Sequence, residues 1–169
     1  SKLAADQLAQ LYVRRYDLDL VRFRPFYLVG PHKTGDVCSD FARRIVAIER
    51  GQERVMRVGS LDVARDILDV RDGVTAILLV AKVGERGGLY NVCSGRAVTI
   101  GNVLATFRRL ASVPFEVVED PALLRPLEQK NKIGDPAKLR ALGWSPCHVF
   151  DETLNSILNH WRSAAIPRL

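Results

Sequence analysis

Apolar residues recur at intervals of three and four along much of the chain, and this spacing predicts amphipathic helices. The predicted helices cover residues 1–16, 37–50, 70–83, 100–110, 136–142 and 150–161. Thr99 is expected to cap the fourth helix, because a threonine side chain can accept a hydrogen bond from a free backbone N–H in the first turn. Each apolar stripe is expected to face a core. The stripes of the first and third helices consist of Leu3, Ala4, Leu8, Leu11 and Tyr12, and of Val70, Val74, Ile77, Leu78 and Ala81.

Short runs rich in valine, isoleucine and phenylalanine lie between the helices and predict strands. The predicted strands cover residues 19–25, 54–60, 66–70, 88–94 and 115–120. Residues 26–35 are expected to form a loop. Residues 120–135 show no periodicity, and a stretch of that length in a compact domain is either a functional loop or disordered. The alternation of strands and helices favours an α/β fold.

Length and charge narrow the class of protein further. With 169 residues, 47% of them apolar, the chain can bury enough surface for one compact unit, so residues 1–169 are predicted to form a single domain. The net charge of +6 is spread over pairs of basic residues on separate predicted helices. Because there is no continuous basic block, the charge favours a small anionic ligand over a nucleic acid.

The cysteines and the hydropathy indicate the compartment. Cys38, Cys93 and Cys147 lack the spacing of a zinc site or a disulfide framework, so neither is expected and a reducing compartment is favoured. No apolar run is long enough to cross a bilayer, and the first residues carry a helical pattern instead of a signal sequence. These features predict a cytoplasmic protein with no membrane partner.

Residues that could carry chemistry by themselves are few. His32, His148 and His160 are scattered, without a serine or cysteine at recognisable spacing, and the chain contains neither G-x-G-x-x-G nor a P-loop. These observations argue against a self-contained hydrolase or a complete dinucleotide site. Arg65 and Arg125 lie beside acids in non-helical stretches. From composition alone they form surface ion pairs or, less commonly, bind a diphosphate with the planar guanidinium.

Several motifs in a fixed order resemble those of extended short-chain dehydrogenases/reductases that act on nucleoside-diphosphate sugars. The motifs are SKLAADQLA, VRFRPFYLVGP, RVGSLDVARDILDVRD, GLYNVCSG, RPLE and IGDPAKLRALGWSP. The last three elements most resemble GDP-mannose 4,6-dehydratases and GDP-4-keto-6-deoxymannose reductases. The resemblance covers nearly the whole chain. It implies the carboxyl-terminal part of a Rossmann-type parallel sheet together with the small α/β substrate-binding domain.

The resemblance also implies residues for a cofactor site. Lys2 matches the lysine of the family's Tyr-x-x-x-Lys pair, which holds the nicotinamide ribose and lowers the pKa of the catalytic tyrosine. That tyrosine would lie two residues before Ser1, and the Gly-rich loop would also lie upstream. Pro25 and Phe26 would line the nicotinamide end of an NADP or NAD site. The chain is therefore not expected to be active alone.

A substrate site follows from the same resemblance. Arg65 and Arg125 would bind the diphosphate of a GDP-sugar, Glu128 the nucleoside ribose, and Arg44 a further phosphate oxygen. Tyr27 stands where the family usually has an asparagine that hydrogen-bonds the substrate. We therefore expect the chain to bind a GDP-sugar, with GDP-mannose as the first candidate.

Three functions remain open at this point. In the dehydratase, NADP would take a hydride from C4 of GDP-mannose, water would leave across C5 and C6, and the hydride would return to C6. In the reductase, the same pocket would present a 4-keto sugar to the reduced cofactor. The third possibility is a non-catalytic binding or assembly module. Since the strand at residues 19–25 would have an unpaired edge, self-association or pairing with a missing half is also expected.

Overall fold

A computed structural model describes residues 2–124 and 129–164 of the chain. Among these residues, six α-helices account for most of the secondary structure. They are α1 (Lys2–Tyr16), α2 (Val37–Glu49), α3 (Val70–Val83), α4 (Ile100–Leu110), α5 (Ala137–Ala141) and α6 (Phe150–Ser163). A short 3-10 helix, Pro121–Leu123, follows the last long strand. The six predicted helices are confirmed, with ends that differ by no more than about two residues.

Within the described ranges, nine short strands lie between the helices. They are β1 (Arg22–Pro25), β2 (Tyr27–Val29), β3 (Val55–Val58), β4 (Ala64–Arg65), β5 (Ile67–Asp69), β6 (Leu89–Val92), β7 (Val98–Thr99), β8 (Glu116–Glu119) and β9 (Asn131–Lys132). Three parallel pairs join β1 to β6, β2 to β5 and β3 to β8, whereas β4 lies between antiparallel β7 and parallel β9. Because parallel pairs dominate and helices connect them, the fold is the predicted α/β class.

Two hydrophobic clusters hold these elements together. The larger cluster lies between α2, α4 and α6 and the β3–β8 pair, and Phe107, Ile45 and Met56 are among its fully buried side chains. The smaller cluster lies between α3, α5 and the β1–β6 pair, and it contains Leu139 and Trp144. One cleft described below is lined by Phe41 and Val58 of the larger cluster, and another by Ile67 of the larger and Leu68 of the smaller cluster.

Capping residues fix where three of the helices begin. Asp36 accepts hydrogen bonds from the backbone N–H groups of Cys38 and Ser39 at the start of α2. Asp69 accepts from the Arg71 N–H at the start of α3. Thr99 accepts from the Asn102 N–H, which confirms its predicted role as the N-cap of α4. Each cap satisfies N–H groups that have no partner inside the helix.

Two predictions about local structure are wrong. Residues 26–35 do not form a loop throughout, since Tyr27–Val29 pairs in parallel with Ile67–Asp69. A three-residue strand with a partner on one side is too short to show the alternation that marks a strand in sequence. Residues 120–135 likewise contain a 3-10 turn and the strand β9, whose backbone pairs with β4.

The apolar stripe of α1 does not face a core among the described residues, and of the α3 stripe only Ile77 packs against the smaller cluster. None of the described residues of α1 is buried, and Val74 and Leu78 of α3 are 49% and 65% exposed. The buried residues of α3 lie on its other side, at Asp72, Gly73, Ala76 and Val80. A helical period shows which residues share a face, but it does not show whether another element of the same chain packs against that face.

A search of the described helices finds none with the length and apolar character needed to cross a membrane.

Candidate functional site

A cleft of about 490 Å³ lies between the amino-terminal half of α2 and the ends of several strands. Tyr27 of β2, Arg44 of α2 and Arg65 of β4 all line it. The structure therefore brings together three of the residues that the resemblance assigns to substrate binding. Its walls also include Gly59 and Ser60, which directly follow β3, and Ile100 at the start of α4. A cleft at the carboxyl ends of parallel strands is a common ligand site in α/β proteins.

Of the residues that the structure describes, four with basic side chains line this cleft: Arg44, Arg57, Arg65 and Lys132. Arg44 donates from Nη1 to the backbone carbonyl of Arg57 at 3.1 Å. Arg65 donates from Nη1 to the backbone carbonyls of Ala64 and Gln129, at 2.8 and 2.9 Å. These bonds orient the guanidinium groups before any ligand arrives. An arrangement of this kind suits a phosphate or diphosphate, which two N–H groups of one arginine can bind side by side.

Asp36, Asp40 and the Tyr27 phenol line the same cleft. The Tyr27 hydroxyl accepts a hydrogen bond from the Val37 N–H at 3.2 Å, and burial raises the pKa of Tyr27 to about 12. Partial burial and the neighbouring Asp36 carboxylate raise the pKa of Asp40 above its ordinary value. Tyr27 therefore keeps its proton at neutral pH and can offer a neutral polar group to a ligand.

A buried carboxylate holds the strand ends beside the cleft in place. Asp66 is fully buried, and its carboxylate oxygens accept hydrogen bonds from the backbone N–H groups of Ser94, Gly95 and Gly134 at 2.7, 2.9 and 3.1 Å. The Ser94 hydroxyl also donates to it at 2.7 Å. Because Asp66 adjoins Arg65, these bonds set the position of β4 relative to the end of β6. The role of Asp66 is thus to join three segments of backbone.

The residues assigned to a cofactor lie on other elements. Lys2 is exposed at the start of α1, Pro25 is exposed at the end of β1, and Phe26 follows it and is half-buried. Asp6, one helical turn after Lys2, forms ion pairs with Arg22 and Arg24 of β1. The described lining of the 490 Å³ cleft includes none of the three cofactor candidates.

Two of the predicted substrate residues, Arg125 and Glu128, lie outside the described residues. Two cationic residues that line the cleft, Arg57 and Lys132, are not among the sequence-based candidates. Arg57 is the exposed residue of β3 between buried Met56 and Val58. Its alternation with apolar neighbours within the predicted strand at residues 54–60 is the signal that the sequence offers. Lys132 lies in a stretch without periodicity, so only the β4–β9 pairing brings it to the cleft.

A second cleft of about 410 Å³ lies between β5, the start of α3 and the segment before α6. Asp69, Asp72 and Thr153 are buried residues of its lining, and Arg96, Cys147 and His148 also line it. The two clefts share none of their described lining residues. Asp72 therefore lines the second cleft and not the first.

Comparison with known proteins identifies the class to which this fold and cleft belong. A solved structure of RMD from Pseudomonas aeruginosa complexed with NADPH superposes with a TM-score of 0.89 at 35% identity, covering 96% of this chain and 55% of that one. A Thermus thermophilus UDP-glucose 4-epimerase complexed with NAD gives a TM-score of 0.79 at 26% identity, covering 96% and 52%. The fold is that of the carboxyl-terminal half of an extended short-chain dehydrogenase/reductase.

Sequence comparison identifies the family within that class. The sequence model of the family described as GDP-mannose 4,6 dehydratase matches residues 1–157, so the chain belongs to this family. It is 37% identical over 166 residues to the GDP-6-deoxy-D-mannose reductase of Pseudomonas aeruginosa. The aligned region covers 96% of this chain and 55% of that relative. The chain spans about half the length of the curated relatives that it matches.

Proposed function

We propose that this chain forms the sugar-nucleotide-binding half of an NAD(P)-dependent enzyme that acts on GDP-sugars. Residues 1–169 would serve as one unit, completed by a dinucleotide-binding half that carries the Gly-rich loop and the catalytic tyrosine. The isolated chain would then bind substrate without turning it over. The 37% identical relative is a GDP-6-deoxy-D-mannose reductase, which supports a GDP-sugar as the ligand.

The observation that carries the proposal is the convergence of Arg44, Arg57, Arg65 and Lys132 on one cleft. A nucleoside diphosphate carries its negative charge on the two bridged phosphates, and charge-assisted hydrogen bonds to that group are each worth about 1.5–3 kcal/mol. The cleft volume of about 490 Å³ is within the usual range for small-molecule sites. Arg125 and Glu128, by resemblance, would add contacts to the diphosphate and the ribose.

By resemblance, Lys2 at the start of α1 and Pro25 and Phe26 at the end of β1 would form one wall of a nicotinamide site. Lys2 supplies an exposed ammonium group suited to ribose hydroxyls, and Pro25 and Phe26 supply apolar surface at the carboxyl end of a parallel strand. Nicotinamide cofactors supply hydride transfer when bound. The share of this chain would be orientation: Lys2 would hold the ribose, and Tyr27 would offer its hydroxyl, whose pKa of about 12 keeps it protonated, to the substrate.

Two reactions are candidates for the complete enzyme. The first is the 4,6-dehydration of GDP-mannose, which the family that matches residues 1–157 suggests. The second is reduction of a GDP-linked 4-keto sugar, favoured by the identity to the Pseudomonas reductase. Because the described residues do not distinguish these reactions, binding is the property to test on this chain.

Calorimetric titration of the purified chain with GDP, UDP and dTDP tests the binding proposal. We expect GDP to bind most tightly, and inorganic pyrophosphate to compete with it because both place a diphosphate in the cleft. Arg65→Ala should weaken GDP binding by about 10- to 100-fold, the equivalent of one charge-assisted hydrogen-bonding group. Arg65→Lys keeps the charge but loses the planar fork, so it should recover only part of that loss.

Arg54→Ala is the matched control, since Arg54 is an exposed arginine that does not line the cleft. It should leave GDP affinity within about two-fold of the parent, as expected for a remote surface charge in moderate salt. Equal weakening by Arg54→Ala and Arg65→Ala would indicate only a general charge effect. If none of the three nucleotides binds, the proposal that this half carries the nucleotide site by itself is wrong.

A further inference from the structure

Three side chains of different chemistry meet at the mouth of the second cleft: Asp72 of α3, and Cys147 and His148 in the segment before α6. The Cys147 Sγ lies 3.3 Å from Asp72 Oδ1 and 3.6 Å from His148 Nδ1. His148 Nδ1 lies 2.7 Å from the same Asp72 oxygen. Within the described residues this is the one group of three or more His, Cys, Asp or Glu side chains whose ligand atoms all lie within 4.8 Å.

These separations are close to those required by one tetrahedral metal ion. Zinc binds a thiolate at about 2.3 Å and an imidazole nitrogen or carboxylate oxygen at about 2.0–2.1 Å, so tetrahedral geometry separates sulfur from nitrogen by about 3.6 Å and nitrogen from oxygen by about 3.3 Å. The observed sulfur–nitrogen distance already has this value. The shortest edge would need to widen by about 0.6 Å, as the ion replaced the hydrogen shared between the imidazole and the carboxylate.

The backbone holds the three groups in position. The Cys147 N–H donates to Asp72 Oδ1 and the His148 N–H donates to Asp72 Oδ2, each at 3.1 Å. Asp72 is 1% exposed, so its carboxylate cannot turn toward solvent. The loop that supplies the thiol and the imidazole is therefore fixed on the carboxylate that would be the third ligand. Preorganisation of this kind reduces the entropic cost of binding an ion.

We propose that Asp72, Cys147 and His148 form a binding site for a transition-metal ion of the zinc type. Thiolate and imidazole ligands select zinc over magnesium or calcium. A carboxylate and a thiolate together also balance a divalent charge, which matters because Asp72 is buried. The cleft of about 410 Å³ leaves room on its side for a water molecule as the fourth ligand. With three protein ligands, the ion would keep its fourth position open to water or another small ligand.

The site is distinct from the proposed nucleotide cleft. None of its three residues lines the cleft that contains Arg44 and Arg65, and the inference does not depend on the identity of the nucleotide. The cysteine pattern alone could not reveal the site, because its only cysteine is adjacent in sequence to the histidine and 75 residues from the aspartate.

Titration of the untagged, reduced chain with Co²⁺ and Zn²⁺ tests the proposal. We expect one Co²⁺ per chain, with a thiolate-to-cobalt charge-transfer band and the intense visible bands of tetrahedral cobalt, both removed by stoichiometric Zn²⁺. Cys147→Ser should abolish the charge-transfer band. Loss of a residue that only hydrogen-bonds to a metal ligand weakens metal binding by about 10- to 100-fold. Because His148 would be a ligand itself, His148→Gln should weaken cobalt binding by more than that. Zn²⁺ should raise the thermal midpoint of the parent chain but not of Cys147→Ser.

His160→Gln serves as the control, because the His32 and His160 rings lie 4.0 Å apart and offer an alternative pair of imidazole ligands. This variant should bind Co²⁺ like the parent chain. Loss of binding in His160→Gln with retention in Cys147→Ser would place the ion on the histidine pair and overturn the proposal. So would the failure of the parent chain, folded by circular dichroism, to bind Co²⁺ at micromolar concentration.

Discussion

At the scale of single residues, buried carboxylates with several donors control the local structure around both clefts. Asp69 shows this most clearly. Its oxygens accept from the Arg71 backbone N–H, from the Arg71 guanidinium and from the Thr153 hydroxyl, at 2.7–2.9 Å. Burial acts to raise the pKa of Asp69, but the bonds from Arg71 and Thr153 outweigh it and lower that pKa to about 2.

The lowered pKa of Asp69 gives a testable dependence of stability on pH. The folded state favours the carboxylate, so its contribution is complete above the ordinary pKa of 3.8 and is lost as the pH falls toward 2. We expect the difference in free energy of unfolding between the parent chain and Asp69→Asn to be largest above pH 4 and to shrink between about pH 4 and 2. Urea unfolding across this range measures the difference.

Thr153→Val provides the check on that assignment. Removing the 2.7 Å hydrogen bond from the Thr153 hydroxyl takes away one of the groups that lower the pKa of Asp69. The pH range over which the stability difference shrinks should then move upward, toward the ordinary value for an aspartate. A difference between parent and Asp69→Asn that stays constant from pH 5 to pH 2 would contradict this account.

At the scale of elements, helix α4 is stabilised both by an N-cap residue and by a buried apolar face. Thr99 closes the amino terminus, while Val103 and Phe107 are fully buried in the larger cluster. The Arg108 guanidinium lies over the Phe115 ring, with 5.9 Å between its central carbon and the ring centroid. The helix is thereby fixed at its first turn and along its inner face.

Loss of the Thr99 cap should destabilise the chain measurably. Thr99→Ala removes the acceptor for the Asn102 N–H, and caps of this kind contribute about 1 kcal/mol. For a chain of this size we expect the thermal midpoint to fall by about 2–4 °C, as measured by circular dichroism. Thr99→Ser keeps the hydroxyl, so its midpoint should stay near that of the parent. Equal losses in both variants would show that the methyl group, not the cap, is responsible.

At the scale of the whole molecule, two helices, α1 and α3, expose large apolar side chains to solvent. Leu3, Leu8 and Leu11 of α1 are each more than half exposed, and so is Leu78 of α3. Strand β1 pairs only with β6 among the described strands. Exposed apolar helix faces and an unpaired strand edge are features of surfaces that bind another protein. They support the expectation of self-association or of pairing with a complementary half.

Self-association is therefore expected of the isolated chain, and light scattering coupled to size-exclusion chromatography measures it. Leu11→Glu combined with Leu78→Glu should lower the average mass toward that of a monomer, because charge at these positions disfavours burial of either helix face. Exposed substitutions of this kind change stability little, by about 0.5 kcal/mol or less. Val113→Glu, at an exposed apolar position on neither helix, should leave the mass unchanged. A parent chain that is monomeric at micromolar concentration would contradict the expectation.

The sequence by itself determined the elements that depend on local chemistry. The 3.6-residue period indicated α1, α3, α4 and α6, Thr99 indicated a helix start, and motifs such as GLYNVCSG and GDPAKLRALGW led to the correct family. These features are readable because hydrogen bonding and periodicity within a few residues fix them.

Only the tertiary structure decided which distant residues meet. It placed Arg57 and Lys132 beside Arg44 and Arg65 through the pairing of short strands. It joined Asp72 to a thiol and an imidazole 75 and 76 residues away. It also left the stripe of α1 and most of the stripe of α3 exposed, although their spacing is that of core helices. Such contacts depend on the packing of separate elements, which local spacing does not encode.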